Sequence, residues 1–184
     1  MRIIGGRARG LILHTPKGLS VRPTSDRVKE SIFNILSDVE GRSFLDLYAG
    51  SGNMGLEALS RGASRVVLIE KNRTGVETIR RNLTLMNAES SSEVIAASVE
   101  QGIRRLLRGK EEFDIIFADP PYEEGFVAKT LNLLRRDYSL LRNSGLFILQ
   151  HSVREEPEGD LAPFVLERRR RYGETVVSFL KGEG

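Results

Sequence analysis

The 184-residue chain contains no cysteine. Disulfides and thiolate chemistry are therefore excluded, and the composition suits a reducing compartment. Histidine is scarce too, with two residues, His14 and His151, each alone on a strand-like run. No ligand-spaced cluster accompanies either one, so no metal is expected and both read as structural; His151 ends its run where a minor substrate contact is also open. There is no long uncharged apolar run, and Met1-Arg2-Ile3-Ile4-Gly5-Gly6 is not a signal peptide. The expectation is a soluble cytoplasmic protein without a membrane partner. Internal repeats and linkers are absent, and Ser90-Ser91-Ser92 is only a polar turn. What is present, 40% hydrophobic and 29% charged residues, is globular rather than disordered, and the length suits one domain with a real core.

Net charge is only +3, but it is unevenly placed. Residues 1–29 hold Arg2, Arg7, Arg9, Lys17, Arg22, Arg27 and Lys29 against Asp26 alone, a net +6, which leaves −3 for the rest. A basic arm on a mildly acidic body fits an anionic partner, nucleic acid first, with Arg2, Arg7, Arg9, Lys17 and Arg22 as the candidate contacts; a merely solvated basic surface is the bland alternative. A second run, Arg168 to Arg171, reads equally as a phosphate-binding stripe or as a charged strand edge that guards against aggregation.

Residues 2–15 predict a β-hairpin, with "RIIGG" and "LILHT" as its arms. "TSDRVKESIFNILSDVEG" predicts a helix capped by Thr24, Ser25 or Asp26 and stopped at Gly41, with Val28, Ile32, Ile35 and Leu36 on its buried face. Strand-like runs follow at 43–49, 65–70, 93–98, 113–118 and 146–152, alternating with helical stretches at 53–61, 73–87, 99–108 and 125–141. This βαβα order predicts an α/β fold with a mostly parallel sheet and helices on both faces. "FVLERRRRY" and "TVVSFLK", separated by Gly173-Glu174, add a C-terminal antiparallel strand pair. The domain expectation is an N-terminal hairpin arm over 1–22 and a globular body over 23–184.

"FLDLYAGSGNMGLEAL" sets Gly50, Gly52 and Gly55 in G-x-G-x-x-G spacing between a strand and a helix. Glycines there let the backbone turn sharply and approach a ligand closely. Glu70 ends the next strand, where an acid accepts hydrogen bonds from ribose hydroxyls. That alone describes an adenosine-containing cofactor, and NAD is the obvious one. Asp46 argues otherwise: a carboxylate aimed into the loop repels a pyrophosphate but suits the ammonium and sulfonium of S-adenosylmethionine. Nor is there a second mononucleotide-binding half. Capping of loop N–H groups is the alternative role for Asp46. An acid would be the easy partner for the adenine amine, and the candidate positions are Ser98 and, two residues on, Glu100.

The sequence "DIIFADPPYEEG" ends a buried strand with Asp119, Pro120, Pro121 and Tyr122. Proline lacks an N–H and restricts the residue before it, so the chain is stiff where the carboxylate, a bare carbonyl and a ring leave the sheet. An exocyclic base amine is a poor nucleophile because its lone pair is delocalised. Two fixed acceptors, the Asp119 carboxylate and the Pro120 carbonyl, can hold both amine hydrogens and favour a pyramidal nitrogen, while Tyr122 offers a stacking face for an extruded base. A proline-rich turn with a capping aspartate is the alternative, weakened by the cofactor loop in the same chain.

With "DPPY" and "LDLYAGSGNMGLEALSRGA", the chain resembles the Rossmann-like, class I S-adenosylmethionine-dependent methyltransferases acting on amino groups. "MRIIGGRARGLIL…RPTSDRVKESIFNIL" and "RYGETVVSFL" narrow the resemblance to the RsmD family, methyltransferases of guanine N2 in 16S ribosomal RNA, over nearly the whole chain. The resemblance implies that Asp46, Tyr48, Ala49, Gly50, Ser51, Gly52, Glu70, Lys71, Ser98 and Val99 line the cofactor, and that "RPTSDRVKE", with Thr24 and Arg27, folds over it. It implies Asp119, Pro120, Pro121 and Tyr122 as the catalytic loop and an RNA-contacting hairpin. The partner would be 16S rRNA, within a partly assembled 30S subunit, and the enzyme a monomer. Ser98 departs from the acid usual at that position. The rival readings are a DNA or RNA adenine-N6 methyltransferase, a non-catalytic RNA-binding or ribosome-assembly protein, and an NAD-dependent oxidoreductase.

Overall fold

The computed structural model describes residues 1–15, 26–122, 124–157 and 161–182. It divides into two compact units, Met1–Val99 and Glu100–Gly184. In the first, α1 (Asp26–Leu36) precedes β1 (Ser43–Asp46), α2 (Asn53–Ser60), β2 (Arg65–Glu70), α3 (Arg73–Leu85) and β3 (Ser92–Ala96). Strand β2 pairs in parallel with β1 through Ser43↔Arg65 and with β3 through Val66↔Ser92, giving the order β3-β2-β1. Every residue of β1 and the four central residues of β2 are buried. The unbroken apolar run Val66–Ile69 at the centre of β2 is what a parallel strand covered on both faces requires.

The second unit carries most of α4 (Val99–Arg108), then β4 (Phe113–Ala118), α5 (Phe126–Arg136), β5 (Leu141–Ser152), β6 (Phe164–Tyr172) and β7 (Thr175–Gly182). Strand β5 runs parallel to β4 and antiparallel to β7, which pairs antiparallel with β6, so the order is β4-β5-β7-β6. Strand β7 lies between two neighbours and is buried from Thr175 to Leu180, whereas β6 is exposed or half-exposed beyond Phe164. The C-terminal hairpin predicted around Gly173-Glu174 is present.

The first helix ends at Leu36, five residues short of the expected stop at Gly41. Ser37 already has a left-handed φ of 56°, and Asp38 Oδ1 accepts from the Glu40 N–H, so a local side-chain turn replaces the last helical turn. The expected N-cap residues Thr24 and Ser25 lie outside the described residues. At the N-terminus the predicted hairpin is reduced to one antiparallel bridge, Arg2↔Ile12, with bonds from the Ile3 N–H to Leu11 O and from the Leu13 N–H to Met1 O. Its turn spends its polar groups on α2 instead. The Arg7 N–H donates to Ser60 O, the Ala8 N–H to Ser60 Oγ, and Ser60 Oγ–H to Gly5 O. No helix among the described residues is long and apolar enough to cross a membrane.

Candidate active site

In the first unit, Asp46 is the last residue of β1 and 1% exposed, and the chain then turns through Tyr48, Ala49, Gly50, Ser51 and Gly52 into α2. Gly52 has φ 87°, and the Gly52 N–H donates to Ala49 O at 2.7 Å, closing the turn. Only glycine holds that conformation without strain. Gly55 serves packing, since a Cβ there would lie 2.8 Å from Leu68 Cδ2 and 3.0 Å from Val66 Cγ1.

Glu70 ends β2, where the sequence placed it, and is half-buried. Its Oε2 accepts from the Gly50 N–H at 2.7 Å and its Oε1 from the Asn72 N–H at 2.7 Å. The carboxylate therefore ties the glycine loop to the start of α3. Each carboxylate oxygen has two lone-pair directions, so both retain capacity for a hydroxyl donor. Gly75, unremarked in the sequence, makes room for this: a Cβ there would lie 2.8 Å from Gly50 O and 2.9 Å from Glu70 Cγ. Asn72 caps α3, its Oδ1 accepting from the Thr74 and Gly75 N–H groups at 2.9 and 3.3 Å. Lys71 is exposed, Ser98 half-buried, and Val99 opens α4. Glu100 is held by Lys129, Nζ to Oε1, at 2.6 Å.

These residues suit S-adenosylmethionine. The turn has no side chain at Gly50 or Gly52 and is bordered by the Asp46 and Glu70 carboxylates, which suit a ligand bringing positive charge and hydroxyl donors rather than phosphate. Arg27 is exposed in the first turn of α1; Thr24, Lys17 and Arg22 lie outside the described residues. Arg2, Arg7 and Arg9 are all exposed on the bridged N-terminal turn. Among the described residues no His, Cys, Asp and Glu group could hold a metal.

A buried ion cluster anchors that turn, and nothing in the sequence pattern marked it. Lys29 and Glu57 are both fully buried, their Nζ and Oε2 3.4 Å apart. Lys29 Nζ also donates to Arg2 O at 2.8 Å and Asn53 Oδ1 at 2.7 Å. Glu57 accepts from the Ile4 N–H at 2.9 Å and from Arg61 Nε at 2.8 Å. Burial pulls the Lys29 ammonium below its ordinary pKa, with Glu57 opposing the shift.

In the second unit, β4 ends at Ala118 and releases Asp119, half-buried, then Pro120, buried, Pro121, exposed, and Tyr122, half-buried. The Tyr122 hydroxyl accepts from Gln150 Nε2 at 3.2 Å. Gln150 is 4% exposed, near the C-terminal end of β5, one residue beyond the Ala118↔Leu149 pair, and its Oε1 has no hydrogen-bond partner among the described residues. Gln150 is thus part of the loop's support, hidden in an apolar run that read only as strand. Beyond the loop, Glu155 Oε1 accepts from the Gly125 N–H at 3.2 Å where α5 begins. His151 is fully buried, with Nδ1 2.9 Å from Ser152 O and Nε2 3.0 Å from Ser178 Oγ. Its role is structural, because both ring nitrogens are already bonded within the unit.

Ligands of open α/β sheets bind at the carboxyl ends of the strands, and Asp46, Glu70 and Asp119 all stand at such ends. The architecture is that of the Rossmann-like methyltransferases. The solved structure of Escherichia coli yhhF shares it at a TM-score of 0.87 and 34% identity, over 100% of this chain and 98% of that one. A Thermus thermophilus protein shares it at 0.83 and 31%, over 100% and 99%. The family model described as Conserved hypothetical protein 95 matches residues 1–181, and the chain belongs to this family, the RsmD family. The ribosomal RNA small subunit methyltransferase D of Escherichia coli strain K12 is 34% identical over 184 residues, covering 100% of this chain and 90% of that protein. Its Haemophilus influenzae namesake is 34% identical over 150 residues, 80% and 77% of the two chains.

Proposed function

We propose that the protein transfers a methyl group from S-adenosylmethionine to the exocyclic N2 amine of a guanine in 16S ribosomal RNA, acting in the cytoplasm as a monomer on a partly assembled 30S subunit. The observation that carries this reading is the Asp119–Tyr122 loop, a half-buried carboxylate and a buried proline at the end of β4 with the ring's hydroxyl bonded to Gln150. The names borne by the 34% identical relatives supply the ribosomal RNA.

Bound S-adenosylmethionine supplies an electrophilic methyl on a sulfonium centre. The chain's own residues do the rest. Asp46 would balance the ligand's cationic end, while Glu70 would accept from ribose hydroxyls and hold the Gly50 turn. Ser98 would meet the adenine, and Tyr48, Ala49, Ser51, Lys71 and Val99 would line the cofactor, with Thr24 and Arg27 over it. Asp119 and the Pro120 carbonyl would accept the two amine hydrogens, fixing the nitrogen with its lone pair free. Tyr122 would stack on the extruded base, and Pro121 would keep the loop stiff. Fixed acceptors of this kind need no reorganisation during transfer. Arg2, Arg7, Arg9, Lys17 and Arg22 would hold RNA phosphates, which position a substrate without reading it.

The test is mass-spectrometric mapping of modified nucleotides in rRNA from cells with the gene, without it, and with Asp119→Ala in its place. One N2-methylguanosine of 16S rRNA should vanish in the last two. An unchanged modification profile, or loss of an N6-methyladenosine instead, would overturn the assignment.

A further inference from the structure

Strand β6 (Phe164–Tyr172) is the outer strand of the second unit, and it carries Arg168, Arg169, Arg170 and Arg171 in succession. Side chains alternate between faces along a strand. The bulge in the β6–β7 ladder falls between Leu166 and Arg168, and from there the register runs unbroken, Arg168↔Phe179 to Tyr172↔Thr175. Arg168, Arg170 and Tyr172 therefore share one face, and Arg169 and Arg171 the other.

The two faces differ in charge balance. Arg169 Nη1 is 2.7 Å from Glu156 Oε2, and Arg171 Nη2 is 3.9 Å from Glu174 Oε1, with Arg171 Nε also donating to Gly173 O at 2.8 Å. Each arginine of that face thus has a carboxylate within ion-pair distance in the unit. On the other face, neither Arg168 nor Arg170 has a carboxylate within ion-pair distance among the described residues, and Arg170 donates only to the backbone, at Arg169 O, 3.2 Å. Both are exposed, and Tyr172 beside them is half-buried.

Guarding a strand edge against aggregation needs charge, but neither arginine rather than lysine nor charge balance on only one face. A planar guanidinium fits phosphate oxygens bidentately, and an aromatic ring in the same row offers a base a stacking surface. Alternate positions lie about 6.6 Å apart, a ladder of two phosphate forks and one ring along an extended strand.

We infer that the Arg168–Arg170–Tyr172 face of β6 binds a single-stranded stretch of RNA, the arginines on successive phosphates and the tyrosine under a base. The inference rests on the rRNA reading above and adds a second RNA surface, remote in sequence from the N-terminal arginines.

The experiment measures binding of a fluorescein-labelled uridine dodecamer to the full chain across a salt series. Each single-strand phosphate contact contributes about 0.7 to the slope of log affinity against log salt, so Arg168→Gln with Arg170→Gln should flatten it by about 1.4. Arg169→Gln with Arg171→Gln removes the same charge and should change the slope by less than half as much. Tyr172→Ala should weaken binding about ten-fold at an unchanged slope. An unchanged slope in the first pair, equal flattening by both pairs, or full affinity in Tyr172→Ala would overturn the inference. The rRNA reading fails separately, if the wild-type chain binds neither the dodecamer nor 16S rRNA.

Discussion

Replacing Glu57 by glutamine should be among the most destabilising single changes in the first unit, although it alters neither size nor shape. Glu57 is the only fully buried counter-charge within 4 Å of Lys29 among the described residues; Asp26, 3.9 Å away, is 54% exposed and screened by water. The glutamine can still accept from the Ile4 N–H, but its amide NH2 then replaces the oxygen that accepts from Arg61 Nε, so the perturbation is the loss of one charge together with that bond. Removing one partner of a buried pair costs about 3–5 kcal/mol, because the other ion is left desolvated. With a urea slope near 2 kcal/mol/M, the unfolding midpoint should fall by about 2 M. Two further measurements isolate the cause. In a Lys29→Met background the same substitution should cost less than half as much, since no buried ammonium remains to be stranded. The loss should also shrink as pH rises. Burial lowers the folded pKa of Lys29 below its ordinary 10.5, and Glu57 opposes the shift. Without that charge the pKa falls further, so the variant regains more stability than the wild type as pH rises and the ammonium loses its proton. A cost under 1 kcal/mol, or an equal cost in both backgrounds, would refute the reasoning.

Three other substitutions bear on the site and its frame. Glu70→Ala should raise the S-adenosylmethionine dissociation constant by roughly one to two powers of ten, as a charged bond worth about 1.5–3 kcal/mol is lost, and should speed amide exchange at Gly50, its second partner; titration calorimetry and hydrogen exchange check the two halves. Gln150→Ala should lower methyl transfer without changing cofactor affinity, and in a Tyr122→Phe background it should have little further effect, because it acts through the tyrosine hydroxyl; additive losses in single-turnover assays would refute this. Burial, the largest influence, holds His151 below its ordinary 6.5 despite the Ser152 carbonyl and the nearby Glu155 and Glu156, so the unfolded chain binds the extra proton. Stability should therefore be full above about pH 6.5 and fall as pH drops below it, and the fall should be absent in His151→Gln.

Where a periodic run met its own turn chemistry, the sequence was readable to the residue. Arg65–Glu70, Phe113–Ala118 and Val99–Arg108 occupy the predicted spans. Boundaries failed where a local interaction competed with the period. Reading Gly41 as the stop carried the first helix past Leu36, the last position of its apolar face, but the Asp38 turn ends it there. Strand β5 begins at Leu141 rather than 146, starting immediately after the short 3₁₀ turn Tyr138–Leu140 that follows α5. The carboxylates and glycines proposed for the site could be singled out because cofactor and amine chemistry call for those residue types at strand ends, and Glu70 does end β2 while Asp119 follows β4. Lys29, Glu57 and Gln150 were not, because each lies inside a helix or strand pattern and its partner, far off along the chain, can be known only from the fold.

The chain's charges are sorted by task. Carboxylates stand at the ends of β1 and β2, and another follows β4, positions where an α/β sheet meets its ligands. A carboxylate at such an end repels phosphate and attracts groups that bring positive charge or N–H and O–H donors: an ammonium, a sulfonium, ribose hydroxyls or a base amine. Phosphate must still be held if RNA is the substrate, and the exposed arginines able to hold it sit elsewhere in sequence, at Arg2, Arg7 and Arg9 on the bridged turn and at Arg168 and Arg170 on β6. A cation moved to Tyr48 or Ser51 would compete for those carboxylates, so it should weaken S-adenosylmethionine binding even while it strengthens the pull on RNA.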